Sequence, residues 1–417
     1  MKYDLDTNII PNDWTQENAI IKVVGVGGGG CNAVNYMYRQ NIQGCSFIVC
    51  NTDAQALQNS EVPVKIQMGQ NGLGAGTDPT AGRNAALEAQ DEIARKVLDC
   101  GTQMLFITAG MGGGTGTGAS PVIAKMAKDR GILTVAVVTI PFKNEGNESQ
   151  SKAVDGIHEL EKNVDSLLII NNEKLYQFFG DTLIQEAFPK ADEVLATAVR
   201  GIIEVITQPG YINVDFKDVS KMMRNSGMAL MGTGIGTGNN RLEDAVKGAF
   251  ESPLLNDFDL KTAKNVLINI TSGNNERGIK MKELETIDEM ITQYTGKANR
   301  FKKGLIWDDD PEIGDQVRIT AIVTGFDMGK LGDITDVNLG NIVVIDSGFQ
   351  WESTYKGQEV HLPDVSPSIK VGFNTAENTQ RFHYDENSKP VLCVEPGQSI
   401  SELEAVPAIR RAHAEKK

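Results

Sequence analysis

The residues that invite chemistry in this 417-residue chain are glycines. The run Ala109-Gly110-Met111-Gly112-Gly113-Gly114-Thr115-Gly116-Thr117-Gly118 follows an apolar stretch at 104–108 and precedes a segment, 119–128, that reads as a helix. Consecutive glycines expose backbone N–H groups that no side chain shields, and they enter φ > 0 conformations that other residues avoid. At a helix N-terminus, where donors are unpaired and the dipole is positive, such a run is suited to wrapping a phosphate. The plain alternative is a flexible linker, but linkers seldom lie between an apolar strand and an amphipathic helix. Two further runs repeat the theme: Gly27-Gly28-Gly29-Gly30-Cys31-Asn32 follows the apolar stretch 20–26 and opens a helix, and Gly72-Leu73-Gly74-Ala75-Gly76-Thr77-Asp78 precedes a helix that starts with Pro79.

One such loop would equally describe a dinucleotide-binding oxidoreductase, with Asp53 at the end of the stretch 46–52 placed on a ribose. Three loops supply more donors and suit a triphosphate better. No GxxxxGK[ST] occurs, so backbone N–H groups and magnesium take the place of the Walker-type lysine. Asp215 and Asp218 form the other chemistry-bearing feature, three residues apart at a helix start beyond Pro209-Gly210. Two readings stand. The carboxylates cap the helix and complement its dipole, or they polarise a water, in which case they approach a triphosphate only at its γ end.

These residues need strands to hold them. Apolar runs at 20–26, 46–50, 104–108, 133–140 and 166–170 alternate with helical segments, the pattern of a doubly wound, mostly parallel α/β sheet. A long helix at 192–207, apolar at Val194, Leu195, Ala198, Ile202, Val205 and Ile206, reads as a central spine. A second, α+β domain follows, with strands at 227–232, 265–271 and 316–324 and helices near 241–251 and 281–294. The expected organisation is an N-terminal extension (1–18), a nucleotide-binding domain including the central helix (19–211), an α+β domain (212–326), a linker (327–399) and a C-terminal tail (400–417) in which Leu403, Val406 and Ile409 keep helical spacing.

Bulk properties exclude other classes. A net charge of −15 argues against wrapping nucleic acid, which needs a basic surface to displace counterions. The five cysteines are scattered without CxxC spacing and the four histidines are dispersed, so reduced thiols, no structural metal and no Ser–His–Asp arrangement are expected. The polar, acidic N-terminus is unlike a signal peptide. The apolar run 133–138 is far shorter than the roughly 18 residues of a membrane span, so a cytoplasmic protein without direct membrane insertion is expected.

Taken together, Gly27 to Asn32, Asn51-Thr52-Asp53, Gly72 to Gly76, the heptapeptide Gly112 to Gly118 and Asn213-Val214-Asp215-Phe216-Lys217-Asp218-Val219 closely resemble the FtsZ family of bacterial tubulin-like cell-division GTPases, in order from about Ile20 to Gly325. The resemblance implies a GTPase whose substrate and product are GTP and GDP, with Mg2+. It implies head-to-tail filaments that form a division ring at mid-cell, and a tail, similar over 403–411 to the family's C-terminal peptide, that binds membrane-tethering and regulatory division proteins. By position, Gly28, Gly29, Gly30, Cys31 and Asn32 with Gly114, Thr115 and Gly116 would hold phosphates, and Ala75 and Gly76 would close on the γ-phosphate. Glu145 and Asn172 would meet ribose and base, Phe188 would stack on guanine and Asp192 would bind its polar edge. Asp215 and Asp218 would be catalytic in trans, acting on the GTP of the adjacent subunit. One departure stands out: Ser149 occupies the place where the family usually has a nucleotide-contacting arginine, which implies weaker binding or another basic group in compensation.

Overall fold

The computed structural model describes residues 19–99, 101–173, 184–208, 210–212, 214–251, 260–296, 298–308 and 313–326, and six short strands between 343 and 392. The first unit, Met1–Thr335, begins with β1 (Ile21–Val26), α1 (Gly27–Arg39), β2 (Ser46–Asn51), α2 (Ala54–Gln58) and β3 (Val64–Gln67). It continues through α3 (Pro79–Glu88), α4 (Gln90–Ile93), β4 (Met104–Gly110), α5 (Gly114–Asp129), β5 (Leu133–Ile140), α6 (Asn147–Glu161) and β6 (Ser166–Asn171). The alternation expected from the sequence is therefore present. β1, β2 and β5 are buried along their whole length, which is why they are runs of apolar residues without alternation.

α7 (Ile184–Thr207) starts eight residues before the expected 192 and is followed by β7 (Gly210–Ile212) and α8 (Phe216–Met223). The remaining elements are β8 (Gly227–Gly236), α9 (Arg241–Phe250), β9 (Asn265–Gly273), α10 (Met281–Thr295), β10 (Arg300–Asp308) and β11 (Val317–Phe326). Sequence reading missed β10. Its first residues, Arg300, Phe301 and Lys302, are exposed, and the stretch shows no apolar run until Leu305.

All eleven strands join one sheet in the order β3-β2-β1-β4-β5-β6-β8-β11-β9-β10-β7. The sequence predicts two separate sheet regions; a short parallel pairing, Ser166↔Gly227 and Leu167↔Met228, links them. β11 runs antiparallel to both β8 and β9, and β10 runs parallel to β9. The two reversals cancel, so β9 and β10 point the same way as β1 to β6. The sheet thus has a common carboxyl-terminal edge and a common amino-terminal edge.

α7 ties the halves together. Leu195, Ala198, Val199, Ile202 and Ile203 belong to one buried cluster with Val34 and Met37 of α1 on one side and with Val219, Met222, Ala229, Leu267 and Ile322 on the other. Among the described residues no helix is long and apolar enough to cross a membrane.

The second unit, Asp336–Lys417, holds a two-stranded pair, Val343–Asp346 with Ser368–Val371, and a four-stranded sheet of Glu352–Tyr355, Gln358–His361, Phe382–Tyr384 and Pro390–Leu392. These strands fall within the stretch expected as a linker. Residues 400–417 and the N-terminal extension lie outside the described residues.

Candidate functional site

β1 lies between β2 and β4, and the chain reverses its direction of travel across the sheet there. Ligands of open α/β sheets bind in the crevice beyond such a switch point. The helices after β1 and β4 are α1 and α5, and both begin without a side-chain cap, because Val26 and Gly113 occupy the capping positions. Elsewhere Asp53 caps α2 through Gln55 and Ala56 N–H, Asp78 caps α3 through Thr80 N–H, and Asp215 caps α8 through Asp218 N–H. Leaving α1 and α5 uncapped frees their first-turn donors for a ligand. Each helix end also offers a partial positive charge of about half a unit. Asp53 caps α2 through Oδ1, in place of the ribose contact that a dinucleotide-binding reading assigns to it.

Close backbone approach explains the glycine content of the loops. A Cβ on Gly30 would overlap the Thr108 carbonyl, while one on Gly114 would lie 2.8 Å from both the Ala75 Cβ and the Asp78 nitrogen. The 72–78 loop is thereby pressed onto the start of α5, which brings Ala75 to Gly114. Gly112 has φ +100°, and a Cβ there would stand 2.8 Å from the Ser149 carbonyl oxygen, so the start of α6 reaches the signature loop too. Gly28, Gly76 and Gly113 differ: all three are exposed, and a Cβ on any of them meets nothing within 4 Å. That open space is the cradle.

Hydroxyls stiffen the cradle. Thr52 and Thr115, both buried, share a 2.7 Å hydrogen bond joining the end of β2 to α5, and Gly112 N–H donates to Thr117 Oγ1 at 2.8 Å. Sequence reading left Thr52 and Thr117 without a role. Their signal was position, one at a strand's carboxyl end and one within the glycine run. The Cys31 thiol points inward to the Gly25 and Cys50 carbonyls and burial pushes its pKa up to about 12, so only its backbone N–H can serve a ligand.

The site's side wall is built after β5 and β6. Glu145 Oε1 accepts from Phe142 N–H at 2.9 Å, and Glu173 Oε2 accepts from Lys143 N–H at 3.0 Å, which ties the end of β6 to the turn carrying Glu145. Asn172 follows β6 directly, and its Oδ1 is shielded from solvent with no partner among the described residues. A buried acceptor left this way costs about 1–3 kcal/mol, so the position favours a ligand bearing a donor. Asp192 sits on α7, where burial pushes its carboxyl up to about 6. Phe188 lies on the same helix, with its side chain outside the described residues.

Asp215 and Asp218 are at the opposite edge of the sheet. From β7, which pairs antiparallel with β10, the chain runs toward the start of β10, where Asp218 forms a 2.9 Å ion pair with Lys302. α8 then follows the amino-terminal edge: Arg300 Nη1 donates to Lys221 O at 3.2 Å, Arg224 Nη2 to Gly131 O at 3.3 Å just before β5, and Asn225 N–H to Asp165 Oδ1 at 3.1 Å just before β6. Asp215 is exposed and accepts the Asp218 N–H at 2.7 Å, so it does cap α8. The phosphate loops occupy the opposite edge, across the roughly 26 Å length of the eight-residue strand β5.

Two uncapped helix N-termini at the switch point of a parallel sheet, walled by glycine loops, are the arrangement of an α/β nucleotide-binding protein with its backbone donors free for phosphate. Known families narrow this class. Residues 20–180 match the Tubulin/FtsZ family, GTPase domain, and residues 227–327 match the FtsZ family, C-terminal domain. The cell division protein FtsZ of Porphyromonas gingivalis is 46% identical over 78% of this chain and 71% of its own length; that of Pseudomonas putida is 41% identical over 96% and 92%. The solved "FtsZ dimer, empty" of M. jannaschii superposes with a TM-score of 0.67 at 38% identity, covering 75% of this chain and 89% of that one. The chain belongs to the FtsZ family of tubulin-like cell-division GTPases.

Proposed function

We propose that this GTPase assembles head to tail, so that Asp215 and Asp218 of one subunit complete the nucleotide site of the next. The observation that carries the reading is the placement of the phosphate cradle and the two aspartates on opposite edges of one sheet. Within one molecule the aspartates cannot reach a phosphate held at Gly28 and Gly114. Stacked carboxyl edge to amino edge, they meet it, and a contact between unlike surfaces repeats into an open filament.

In this reading the N–H groups of Gly28 to Asn32 and of Gly114 to Gly116 hold the phosphates, and Ala75 and Gly76 close over the γ-phosphate. Ser149 lies beside the signature loop through its backbone. Glu145 and Asn172 face ribose and base, Phe188 stacks on guanine, and Asp192 takes its polar edge. Asp215 and Asp218 orient and polarise the attacking water, a task worth about 10²–10⁴-fold for a positioned base. The described residues contain no group of three His, Cys, Asp or Glu side chains arranged for a metal. Mg2+ therefore fits as an ion carried mainly by phosphate oxygens and water, with the Thr115 hydroxyl at hand, and it would supply neutralising charge. Division at mid-cell, with the 400–417 tail engaging membrane-tethering and regulatory proteins, completes the reading.

The test is the dependence of specific GTPase activity on protein concentration. Activity per subunit should rise steeply through the assembly threshold seen by light scattering. A constant value down to dilute monomer would remove catalysis in trans.

A further inference from the structure

The amino-terminal edge carries a feature that the nucleotide chemistry does not use. The end of α8, the starts of β9 and β10 and the end of β11 border an open-mouthed cavity of about 290 Å³. Lys221, Arg224, Lys264 and Arg300 line it, and the other polar side chains there are neutral. Among the described residues no carboxylate belongs to the lining, although acids outnumber bases in the chain by 55 to 40. None of the four cations pairs with an acid among the described residues. Neighbouring lysines do: Lys302 with Asp218 at 2.9 Å and Lys303 with Asp288 at 2.6 Å.

The four residues are exposed, and the two guanidiniums are held in place without being neutralised. Each guanidinium is anchored to a carbonyl, Arg300 to Lys221 O and Arg224 to Gly131 O, which leaves further N–H donors free. The Lys264 stem lies against Gly325 at φ +88°, where a Cβ would come within 2.7 Å of the lysine Cβ. Asn265 in the wall is fixed by bonds to Met222 O and Thr324 Oγ1 at 3.2 and 3.0 Å. Four like charges around one cavity repel each other, and what relieves them best is a compact ligand with several negative charges and many acceptor oxygens.

We propose that this cavity is a binding site for a small multivalent oxyanion of the phosphate or pyrophosphate type. It is separate from the nucleotide cradle and shares an edge with Asp215 and Asp218. Occupancy would largely neutralise a locally positive surface beside the residues that face the neighbouring subunit. The site itself depends only on the residues around the cavity, and it stands whether or not those aspartates act in trans.

Titration calorimetry of inorganic pyrophosphate into the full chain saturated with GDP tests the site. One binding event is expected, weakened about tenfold in Lys264→Gln and in Arg300→Gln. Lys264→Arg should retain it, and GDP affinity should be unchanged in all three, which shows that the variants fold. The proposal is overturned if pyrophosphate gives no more heat than sodium chloride of equal ionic strength, or if both glutamine variants bind it as tightly as the parent. Variant-sensitive retention on phosphatidylglycerol vesicles without pyrophosphate binding would also overturn it, since the ligand would then be a lipid headgroup.

Discussion

The two edges of the sheet recognise charge by opposite means. At the carboxyl-terminal edge the chemistry is backbone: uncapped helix starts, glycines pressed onto neighbouring main chain, and hydroxyls that stiffen the loops. At the amino-terminal edge it is side chain: two aspartates, one of them capping a helix and the other paired with Lys302, beside a cavity lined by four cations. Backbone donors cannot be titrated or reoriented, so the first edge is a fixed mould. Carboxylates and ammonium groups respond to whatever approaches, so the second edge suits the proposed role of acting on a substrate that it does not hold.

Substitutions can break that contrast, and the largest effect is expected at the aspartates. Asp215→Asn keeps an oxygen able to cap α8, and Asp218→Asn keeps the side chain's size, yet each should lower GTP turnover by about 10²-fold or more while leaving GTP affinity unchanged. Turnover at the parental rate in Asp215→Asn would reduce that residue to a cap. On the other edge, Gly30→Ala and Gly28→Ala should separate fold from ligand. The first drives a methyl into the Thr108 carbonyl and should cost about 3 kcal/mol in denaturant unfolding, or prevent folding. The second has open space, so stability should hold while GTP affinity, read by equilibrium binding, falls.

Asp192 offers a test by pH. Its folded pKa, about 6, lies above the ordinary 3.8, so the folded state holds a proton that the unfolded chain releases between those values, and stability falls as pH rises through that window. Asp192→Asn should therefore stabilise the nucleotide-free protein at pH 7 by about 1–3 kcal/mol and flatten its stability between pH 4 and 6, at the expense of guanine affinity. The smallest change is expected from Ser149→Arg. A guanidinium beside the signature loop should raise GTP affinity by about tenfold, and unchanged affinity would mean that another group already supplies that charge.

Much of the first edge was legible in the sequence because its logic is local. A buried strand reads as an apolar run, Asp78-Pro79 reads as a helix start, and glycines beside both mark close backbone approach. What was misread there is the beginning of α5, expected at 119 and found at Gly114. Glycine disfavours helix, yet Gly116 lies against the Gly110 carbonyl and Gly118 against Pro79, and only residues without Cβ let that turn pack so closely. β10 was missed for the reverse reason, since its exposed basic start hides a strand set by pairing with β9.

The chain's residue types alone decide that glycine loops offer bare backbone donors without a Walker lysine, and that two carboxylates stand at a helix start, because both follow from neighbours in sequence. They do not decide which edge each feature occupies. That depends on the double reversal through β8, β11 and β9, on the β6–β8 pairing and on the core around α7, which join segments far apart in the sequence and set the aspartates a full strand length from the cradle. Long-range pairing and packing, which no local pattern encodes, separate the two halves of the chemistry.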